Sequence, residues 1–529
     1  MWQKGWREQA WSELDRPWDI IVIGGGITGA GIFREAVRAG LRTILIEQND
    51  FASGTSSRSS KLVHGGLRYL RNGQLKTTMA SVHERQRLLK EGKGLINPLS
   101  FLYARYEHDK LPLWLMGLGL TIYDLLGLRW GHKRYDPDGL ARLEPNLNQA
   151  GLTGGYRYFD AQTDDARLVI RIIKEGVRAG GLALNYTKVE RLLLNRQIKV
   201  SGVALTDASG LTPRSAEISG AAVVNATGAS ADKLRSQVQG VPRLRRLRGS
   251  HLIFPSNRVP LLRAVSFAHP NDSRPIFAIP WEGVTLFGTT DIDHKLPSDV
   301  EPSISSDELD YLMTAARYGF PDLCLEQHDV QSTLSGIRAV INTGKKNPSK
   351  ESREHVLWQE NGLLTITGGK LTTFRAMAQD ALRLLCRNKR FRLNLRDHSI
   401  LDDFSEELIE LEKIEPATRQ RLLGFYGQEA PSLVKEGSPE ELSPIYPPLG
   451  DGATWAELRW VARMEGVVHL EDLLLRRLRL GLLLPYGGRL QMEHIRSIAQ
   501  PELGWSDERW IKEEEDYLLN WVRHYSLPN

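Results

Sequence analysis

Two short apolar runs separated by a glycine-rich turn lie near the start of the chain. Residues 20–23 form the first run, and residues 43–46 form the second, which ends at the acidic Glu47. The segment between them begins with three glycines and predicts a helix that opens in a tight turn. A strand, a helix and a second strand therefore follow one another as one unit.

Further apolar patterns predict the elements of the remaining chain. Residues 223–228 predict a buried strand that ends in a turn of small residues, and residues 363–385 predict a strand, a Gly-Gly turn and a helix. Residues 274–292 carry β-branched and aromatic side chains broken by Gly and Pro, as is typical of an antiparallel sheet. After about residue 400, heptad-like apolar spacing and charge pairs predict helices, most clearly in residues 457–484.

The first glycine turn has the spacing of a dinucleotide-binding site. Gly24 permits a tight turn, Gly26 lets the backbone approach a pyrophosphate, and Gly29 allows close packing of helix on strand. Glu47 falls where a carboxylate accepts the ribose hydroxyls of adenosine and repels a 2′-phosphate. An ordinary strand-to-helix turn could carry the same glycines, but here both strands, the helix and the terminal acid occur together. We therefore expect a dinucleotide at this turn.

The segment after the second strand favours flavin over nicotinamide. A nicotinamide domain usually continues into another helix and strand, whereas residues 51–60 form a loop rich in Ser and Gly, which alone could be a solvated linker. Lys61, His64 and Arg68 follow at once, which is more functional chemistry than a spacer needs. The Gly-Gly turn at 368–369 could aim a second helix N-terminus at an isoalloxazine ring and stabilise reduced flavin. The sequence therefore predicts an FAD fold.

A series of short motifs extends this pattern along the chain. In order they are GGGITGAG (24–31), TSSRSSKLVHGGLRYL (55–70), DDARLV (164–169), NATG (225–228), GSHLIFP (249–255), IPWEG (279–283), FGTTD (287–291), SGIR (335–338) and TGGKLTTFR (367–375). Together they resemble the FAD-dependent glycerol-3-phosphate dehydrogenases. The resemblance covers about residues 19–395, and the helical C-terminal part is similar to the family's cap.

The resemblance implies an α/β protein of the D-amino-acid-oxidase-like fold. Its discontinuous, Rossmann-like FAD-binding domain would comprise residues 1–95, 160–250 and 340–395, and an antiparallel-sheet substrate domain would comprise residues 96–159 and 251–339. Residues 400–529 would form the C-terminal helical cap domain.

Oxidation of a phosphorylated alcohol by flavin needs cations that hold the phosphate and a group that accepts the hydroxyl proton. Arg68, Arg338, Arg353 and Lys370 each lie beside a glycine turn or a strand end. Any one of them could be an ordinary surface ion-pair partner. The resemblance implies instead that Arg338 lies near the flavin and the substrate oxygen, and that Arg68, Arg353 and Lys370 line the substrate site, with Tyr69 and Thr372 beside them.

Two histidines compete as the proton acceptor, His251 and His64, since the pKa of histidine lies near neutrality. Either could instead be a hydrogen-bonded packing residue, and His64 could simply contact the flavin. We favour His251 because the resemblance places it in the substrate domain facing the ring. We expect no metal.

The predicted cofactor is noncovalent FAD, and its contacts come from the matching motifs. These residues are Ile23, Gly24, Gly25, Gly26, Ile27, Thr28, Gly29, Glu47, Gln48, Thr55, Ser56, Ser57, Ser60, Lys61, Leu62, His64, Gly65, Val189, Ala226, Thr227, Gly228, Gly369, Lys370, Leu371 and Thr372. The chain departs from the family at Ala339, where proline usually follows the arginine, and at Ala229 and Ser230, where Pro-Trp is usual. We expect altered packing beside the cofactor and a looser backbone next to Arg338.

Composition narrows the class further. Lys and Arg exceed Asp and Glu by only 69 − 64 = 5 in 529 residues, so we expect no nucleic-acid partner, whereas an anionic substrate or acidic lipid suits this charge. The cysteines Cys324 and Cys386 are far apart and lie in no metal-binding array, which favours a reducing cytoplasm.

The N-terminus interleaves charge with Trp2, Trp6, Trp11 and Trp18, so it lacks the apolar core of a signal peptide. We expect these tryptophans to pack locally rather than to anchor the chain in a membrane. The uncharged residues 111–123 are too few to span a bilayer and predict a buried helix. The alternative is an apolar surface that enters one leaflet or leads a quinone toward the flavin.

The sequence thus predicts a cytoplasmic flavoenzyme, peripherally attached to the inner face of the cell membrane. It would oxidise sn-glycerol 3-phosphate to dihydroxyacetone phosphate and pass electrons to a quinone. A second copy of the chain, in a homodimer, is a further expected partner. Residues 473–484, rich in Leu and Arg, would add a greasy surface with a basic fringe. The alternatives are an FAD-dependent amine or amino-acid oxidase, a glycerol-3-phosphate oxidase, and a non-catalytic flavin-binding scaffold.

Overall fold

Two β-sheets, flanking helices and a helical C-terminal region make up the computed structural model. The structure describes residues 2–67, 75–127, 131–297, 300–345, 351, 354–387, 398–402, 414–449 and 452–528. Within these ranges one sheet has 8 strands and the other has 10. The architecture is therefore mixed α/β with an all-helical C-terminal part.

The strands are β1 (Trp18–Ile23), β2 (Thr43–Ile46), β3 (Leu62–Val63), β4 (Ile96–Tyr106), β5 (Lys133–Tyr135), β6 (Leu152–Thr163), β7 (Leu182–Leu184), β8 (Thr187–Leu194), β9 (Val200–Asp207), β10 (Ser215–Asn225), β11 (Leu244–Pro255), β12 (Ala264–Ala268), β13 (Pro275–Trp281), β14 (Val284–Gly288), β15 (Ile292–Asp293), β16 (Ser332–Ile341), β17 (Val356–Glu360) and β18 (Leu363–Thr367). The α-helices are α1 (Trp6–Ser12), α2 (Ile27–Arg38), α3 (Leu75–Glu91), α4 (Leu113–Leu126), α5 (Pro137–Leu143), α6 (Asp165–Arg178), α7 (Ala231–Arg235), α8 (Ser306–Gly319), α9 (Phe374–Arg387), α10 (Pro416–Tyr426), α11 (Ala430–Glu436), α12 (Trp455–Met464), α13 (Leu480–Leu483), α14 (Met492–Leu503) and α15 (Asp507–His524).

The first sheet contains the predicted strand–helix–strand unit. Its main order is β17-β18-β10-β1-β2-β7, and β9 and β8 extend from β10. Strands β18, β10, β1, β2 and β7 are parallel, and helices α2, α6 and α9 pack together beside them. Parallel strands are covered on both faces, which explains why β1 and β2 appear in the sequence as continuous apolar runs. The strands predicted near residues 20, 43, 223 and 363 are confirmed.

The second sheet has the order β15-β11-β14-β13-β12-β4-β6-β3, with β16 beside β11 and β5 beside β6. The antiparallel pairing predicted for residues 274–292 is confirmed by β13 and β14. One pair in this sheet, β4 with β12, is parallel. Alternate residues of a strand face opposite sides: Phe101 of β4 belongs to the main core, whereas Leu102 packs beneath α8.

The leucines and arginines of residues 473–484 are buried, so the predicted greasy surface with a basic fringe is wrong. Every leucine in this run is at most 4% exposed. Arg476 and Arg477 each donate to Asp50 at 2.6 Å. Arg479 pairs with Asp164 at 2.9 Å. The run therefore docks on the loop after β2 and on the start of α6, since buried arginines require carboxylate partners that a local hydropathy pattern cannot reveal.

The N-terminal tryptophans pack locally, as predicted. Trp2 is 4% exposed and stacks on Phe51 with ring centroids 5.2 Å apart. Trp18 is 3% exposed, and its indole N–H donates to the carbonyl of Leu14. The N-terminal segment is therefore fixed to the first sheet.

Helix α4 is exposed on one face, so the prediction of a buried helix is wrong for that face. Trp114, Leu118 and Leu125 are 69%, 50% and 62% exposed, whereas Leu120 and Tyr123 are buried. A helix that is apolar all round does not reveal from sequence which face its neighbours cover. Across the described part of the chain, no helix is long and apolar enough to cross a membrane.

Candidate active site

A cavity of about 1460 Å³ is lined by residues from both sheets. It brings together most of the predicted site residues that the structure describes: Ile23, Gly24, Gly26, Ile27, Thr28, Glu47, Gln48, Thr55, Ser56, Ser60, Leu62, His64, Val189, Ala226, Thr227, Gly228, Arg338, Gly369, Lys370, Leu371 and Thr372. Residues that are hundreds of positions apart in the sequence therefore share one site.

Six predicted residues do not belong to this lining, and three lie outside the described residues. The six are Gly25, Gly29, Ser57, Lys61, Gly65 and His251. Gly29 packs as predicted, because a Cβ there would lie 1.8 Å from the carbonyl oxygen of Gly24. Arg68, Tyr69 and Arg353 lie outside the described residues.

The glycine turn between β1 and α2 leaves room for a phosphate. Gly24 has φ +112°, and a Cβ there would lie 2.5 Å from the carbonyl oxygen of Ala226. Gly26 precedes the first turn of α2 and supplies no side-chain cap to it. Ser56 accepts a hydrogen bond from the N–H of Ile27 at 2.9 Å, which fixes the loop over the helix N-terminus. A helix N-terminus with a glycine at its mouth suits a pyrophosphate.

Glu47 is held in one orientation at the end of β2. Its carboxylate accepts hydrogen bonds from the N–H groups of Gly25 at 2.7 Å and Asn49 at 2.9 Å. Burial raises the pKa of Glu47, and these two N–H groups oppose the rise. Because the carboxylate lines the cavity, its remaining lone pairs can accept ribose hydroxyls, as the sequence predicts.

Arg338 on β16 presents its guanidinium to the same cavity. Nη1 donates to the carbonyl of Thr290 and to Asp291, each at 3.3 Å. Nη2 donates to the hydroxyl of Thr289 at 3.1 Å. These contacts fix a planar cation in the lining, as recognition of an anion or a developing alkoxide requires.

Arg274 and Asp291 also line the cavity, although neither was predicted from the sequence as a site residue. Arg274 donates to the carbonyl of Asp291 at 3.4 Å, so it approaches Arg338 through a shared neighbour. Its Nε donates to Asp272 at 2.6 Å, and its guanidinium lies over the ring of Tyr311. An arginine at a strand start beside an aspartate has the pattern of a surface ion pair, and only the topology brings it to the cavity.

The second glycine turn is tied to the loop that carries His64. Thr372 donates to the carbonyl of His64 at 3.2 Å. Lys370 donates to the hydroxyl of Ser81 on α3 at 3.0 Å. Gly369 has φ +74°, and a Cβ there would meet the sulfur of Met377 at 2.3 Å, so a side chain would be strained and crowded at this position. The turn therefore places Lys370 at the cavity.

His251 lies one side chain behind the lining. It is 1% exposed, and its Nε2 lies 2.8 Å from the hydroxyl of Ser60, which does line the cavity. Burial, followed by the nearby charges of Arg338 and Lys61, lowers the pKa of His251 to about 3. The imidazole is therefore neutral at physiological pH.

Lys61 is an ion-pair residue inside the protein. Its Nζ donates to Asp165 and to the carbonyl of Ser57, both at 2.7 Å. Burial and the neighbouring Arg479 lower the pKa of Lys61 to about 8. It supports the loop of Ser60 from behind, which the predicted cofactor contact did not anticipate.

The positions at which the chain departs from the family all line the cavity. They are Ala229, Ser230 and Ala339. Ala339 continues β16 opposite Arg246 of β11, so the strand remains regular one residue beyond Arg338. The expected loosening of the backbone next to Arg338 stays a prediction, although strand pairing continues through Ala339.

Two family models match consecutive parts of the chain. The model described as FAD dependent oxidoreductase matches residues 19–375, and the model described as C-terminal domain of alpha-glycerophosphate oxidase matches residues 368–510. Together they span the cavity and the helical C-terminal region.

Relatives and solved structures agree with these matches. Aerobic glycerol-3-phosphate dehydrogenase from Staphylococcus saprophyticus is 33% identical over 498 residues, covering 89% of this chain and 88% of the relative. The corresponding protein of Staphylococcus haemolyticus is 38% identical over 379 residues, covering 70% and 67%. The structure of the glycerol-3-phosphate dehydrogenase from Bacillus halodurans complexed with FAD superposes with a TM-score of 0.78 at 29% identity, covering 99% of both chains.

Lower similarities show the fold alone. L-alpha-glycerophosphate oxidase from Mycoplasma pneumoniae has a TM-score of 0.58 at 16% identity over 74% of this chain and 99% of that chain. The chain belongs to the FAD-dependent oxidoreductases and, among them, to the family of aerobic glycerol-3-phosphate dehydrogenases. The predicted family, fold class and FAD cofactor are confirmed.

Proposed function

We propose that this enzyme oxidises sn-glycerol 3-phosphate to dihydroxyacetone phosphate with FAD as the electron acceptor. The observation that carries the proposal is that Arg338 and Lys370 line the same cavity as the dinucleotide turn and Glu47. A dianionic phosphate requires such cations, and a flavin requires such a turn. The matched relatives carry the name of this activity.

Different residues bind the cofactor and the substrate. Bound FAD supplies the acceptor for the hydride that leaves the secondary carbon of the substrate. The turn at Gly24–Gly26 and the carboxylate of Glu47 hold the dinucleotide without a covalent bond. Arg338 and Lys370 hold the phosphate and orient the carbon that reacts. Arg338, fixed by Thr289, also stabilises negative charge that develops on the substrate oxygen.

Anaerobic mixing of the purified enzyme with sn-glycerol 3-phosphate tests this proposal. We expect the visible absorbance of the oxidised flavin to bleach rapidly on hydride transfer. Lys370→Ala should mainly raise the substrate concentration required for half-maximal bleaching, by about tenfold to a hundredfold, since one charged hydrogen bond contributes about 1.5–3 kcal/mol. Arg496→Ala, which removes a cation outside the cavity lining, is the matched control. Equal bleaching by glycerol would contradict the phosphate-binding role.

An amino-acid oxidase on the same fold is the second candidate considered. The solved structure of glycine oxidase from Bacillus cereus has a TM-score of 0.53 at 19% identity, which shows only that the fold is shared. Such an enzyme needs a clamp for one carboxylate, whereas this cavity presents Arg274, Arg338 and Lys370 together. Flavin reduction by amino acids but not by sn-glycerol 3-phosphate would favour it. Absence of reduction by either would favour a non-catalytic scaffold.

We further propose peripheral attachment to the inner face of the cell membrane through the exposed face of α4. Trp114, Leu118 and Leu125 project from this helix, and Leu75 and Met79 extend the apolar surface onto the neighbouring α3. An apolar surface of this kind suits the boundary between headgroups and acyl chains. Leu115, Met116 and Ile122 of the same helix line the cavity, which supports a route for a quinone from the membrane toward the flavin.

Cosedimentation with vesicles of phosphatidylglycerol and phosphatidylethanolamine tests the attachment. We expect the holoenzyme to bind, and the double variant Trp114→Ser/Leu125→Ser to bind about tenfold or more weakly, because exposed apolar area drives insertion. Ile198→Ser, an equally exposed apolar position on the β8–β9 turn, is the control. Equal binding by all three proteins would exclude α4 as the attachment surface.

A homodimer stays a prediction, which analytical ultracentrifugation of the holoenzyme would test.

A further inference from the structure

Ser60 is the member of the Ser60–His251 pair that lines the cavity. Ser60 lines the cavity, whereas His251 is 1% exposed and lies behind it. The oxygen of Ser60 and Nε2 of His251 are 2.8 Å apart, which is the separation of a short hydrogen bond. A substrate in the cavity would therefore meet the serine before the histidine.

The surroundings of His251 fix both its position and its charge. A Cβ at Gly288 would lie 2.6 Å from Cδ2 of the ring, so β14 packs closely against the imidazole. The ionisable groups that act on the ring are Arg338 on β16 and Lys61 before β3, and both are cations. Burial and these cations keep the ring neutral, so Nε2 is free of the positive charge that would prevent it from accepting a proton.

Neutral His251 and Ser60 form an ordered pair. When Nε2 carries no proton, the serine hydroxyl donates to it, and the serine oxygen keeps its lone pairs available to accept a further hydrogen bond. An acceptor in this position suits the hydroxyl group of an alcohol substrate. The same arrangement allows a proton to reach the histidine without any movement of the buried ring.

We propose that Ser60 contacts the substrate hydroxyl and relays its proton to His251, which acts as a positioning and proton-storing residue. This inference rests on the proposed function. The substrate O–H proton moves to the oxygen of Ser60 as the proton of Ser60 moves to Nε2 of His251. The C–H bond breaks with transfer of hydride to FAD, the carbon–oxygen double bond forms, and imidazolium is the final site of the proton.

The phosphate of the substrate completes the charge balance. Imidazolium at His251 would face the cations Arg338 and Lys61, which oppose its formation in the empty cavity. A dianionic phosphate bound at Arg338 offsets that repulsion. The relay therefore links proton acceptance to occupation of the phosphate site.

Stopped-flow reduction of the bound flavin in mixtures of H₂O and D₂O tests the relay on the wild-type holoenzyme. Two protons that move together should give a curved dependence of the rate on deuterium fraction, whereas one proton gives a straight line. A curve supports the relay and a straight line overturns it. If sn-glycerol 3-phosphate does not reduce the flavin at all, the proposed function fails first, which separates the two failures.

Three variants provide an independent test. Ser60→Ala should keep its FAD content and flavin spectrum but reduce the flavin about 10²–10⁴ times more slowly at saturating substrate, the range of a lost proton-transfer step. Ser60→Thr restores the hydroxyl and should recover most of the rate. His251→Gln can accept the hydrogen bond but cannot store the proton, and should be as slow as Ser60→Ala.

The double variant Ser60→Ala/His251→Gln distinguishes a relay from two separate structural effects. Residues that act as one unit should make the double variant no slower than either single variant. Multiplied losses, or a Ser60→Ala rate within threefold of wild type, would overturn the relay. Should either substitution release FAD, the isotope experiment on the wild-type enzyme still decides.

Discussion

The guanidinium of Arg338 lies directly against the backbone of Gly249. A Cβ on residue 249 would come within 2.4 Å of Nη2 and 2.5 Å of Nη1. On its other side the guanidinium donates to Thr289, Thr290 and Asp291. The glycine of GSHLIFP therefore leaves the space that Arg338 needs to reach the cavity.

Gly249→Ala should displace the Arg338 guanidinium without removing its charge. We expect flavin reduction by sn-glycerol 3-phosphate to slow by about tenfold to a hundredfold, because a misplaced contact loses much of its effect on the transition state. The melting temperature should change little, since the end of a long side chain can move. Gly131→Ala, which introduces only a 3.3 Å contact with Phe159, serves as the control. A wild-type rate in Gly249→Ala would show that this placement is unimportant.

Removal of Arg338 should also change how the rate of flavin reduction depends on pH. Burial is the main cause that lowers the pKa of His251 to about 3, and Arg338 is the next. Arg338→Ala should therefore raise this pKa toward its ordinary value of 6.5. On acidification, His251 would then become protonated at a higher pH in the variant than in the wild-type enzyme. Stopped-flow rates of flavin reduction between about pH 4.5 and about pH 8 should begin to fall at a higher pH in the variant than in the wild-type enzyme.

Arg338→Lys is the matched control for this pH profile. It retains the positive charge near His251 but loses the planar fork. Its rate should fall, while its acid decline should stay close to that of the wild-type enzyme. Coincident profiles for Arg338→Ala and wild type would show that Arg338 does not set the titration of the proton acceptor.

Substitution of Gly26 in the glycine turn should prevent FAD binding. A Cβ at Gly26 would already lie 3.0 Å from the hydroxyl oxygen of Ser56, and a valine would place further carbons beside the N-terminus of α2. Gly26→Val should therefore be purified without flavin, whereas wild-type protein should release FAD on acid precipitation. Ile32→Val in the buried face of the same helix should retain FAD. Full flavin content in Gly26→Val would place the pyrophosphate elsewhere.

Local motifs predicted the strand–helix–strand unit at the dinucleotide end of the site because each part of that unit is short-range in sequence. Residues 20–47 contain both strands, the turn and the acid, and only β-pairing with β10 had to come from elsewhere. Arg274 could not be identified in this way, since its approach to Asp291 depends on strand order in the second sheet. The place of Ser60 in front of His251 is likewise set by a contact across 191 positions.

Burial was the property that sequence described least reliably. The same apolar composition gave an exposed face on α4 and a buried run at residues 473–484. The difference lies in distant partners: Asp50 and Asp164 neutralise the arginines of the buried run, whereas nothing among the described residues covers Trp114. Hydropathy reports the tendency of a segment to be covered, and tertiary pairing decides the outcome.

The buried ion pair between Arg167 and Glu465 should stabilise the packing of the C-terminal region. The two groups form parallel hydrogen bonds of 2.8 and 2.6 Å, and Lys174 adds a third contact. Glu465→Gln leaves a buried arginine without its countercharge, so we expect a loss of about 3–5 kcal/mol in stability at neutral pH. Thermal unfolding of the holoenzyme measures this loss. Glu217→Gln, from an exposed pair with Arg191, should have almost no effect.

The pH dependence of that loss has a defined sign. Burial alone would raise the pKa of Glu465, but Arg167 and Lys174 lower it from the ordinary 4.5 to about 2. The carboxylate therefore stabilises the fold fully above the unfolded pKa, and this stability is lost as the pH falls toward 2. The difference in melting temperature between wild type and Glu465→Gln should narrow below pH 4.5. A constant difference would contradict the ionic origin of the stabilisation.

The last prediction concerns the acceptor that reoxidises the reduced flavin. The apolar residues of α4 reach from the exposed face to the cavity, so a lipid-soluble acceptor has a continuous apolar approach. Flavin reduced by sn-glycerol 3-phosphate should be reoxidised faster by a ubiquinone or menaquinone analogue in vesicles than by oxygen, with little peroxide. Trp114→Ser/Leu125→Ser should leave the reduction step unchanged and slow only reoxidation in vesicles, whereas Ile198→Ser should slow neither. Stoichiometric peroxide without quinone reduction would identify an oxidase instead, and the exposed face of α4 would then need another explanation.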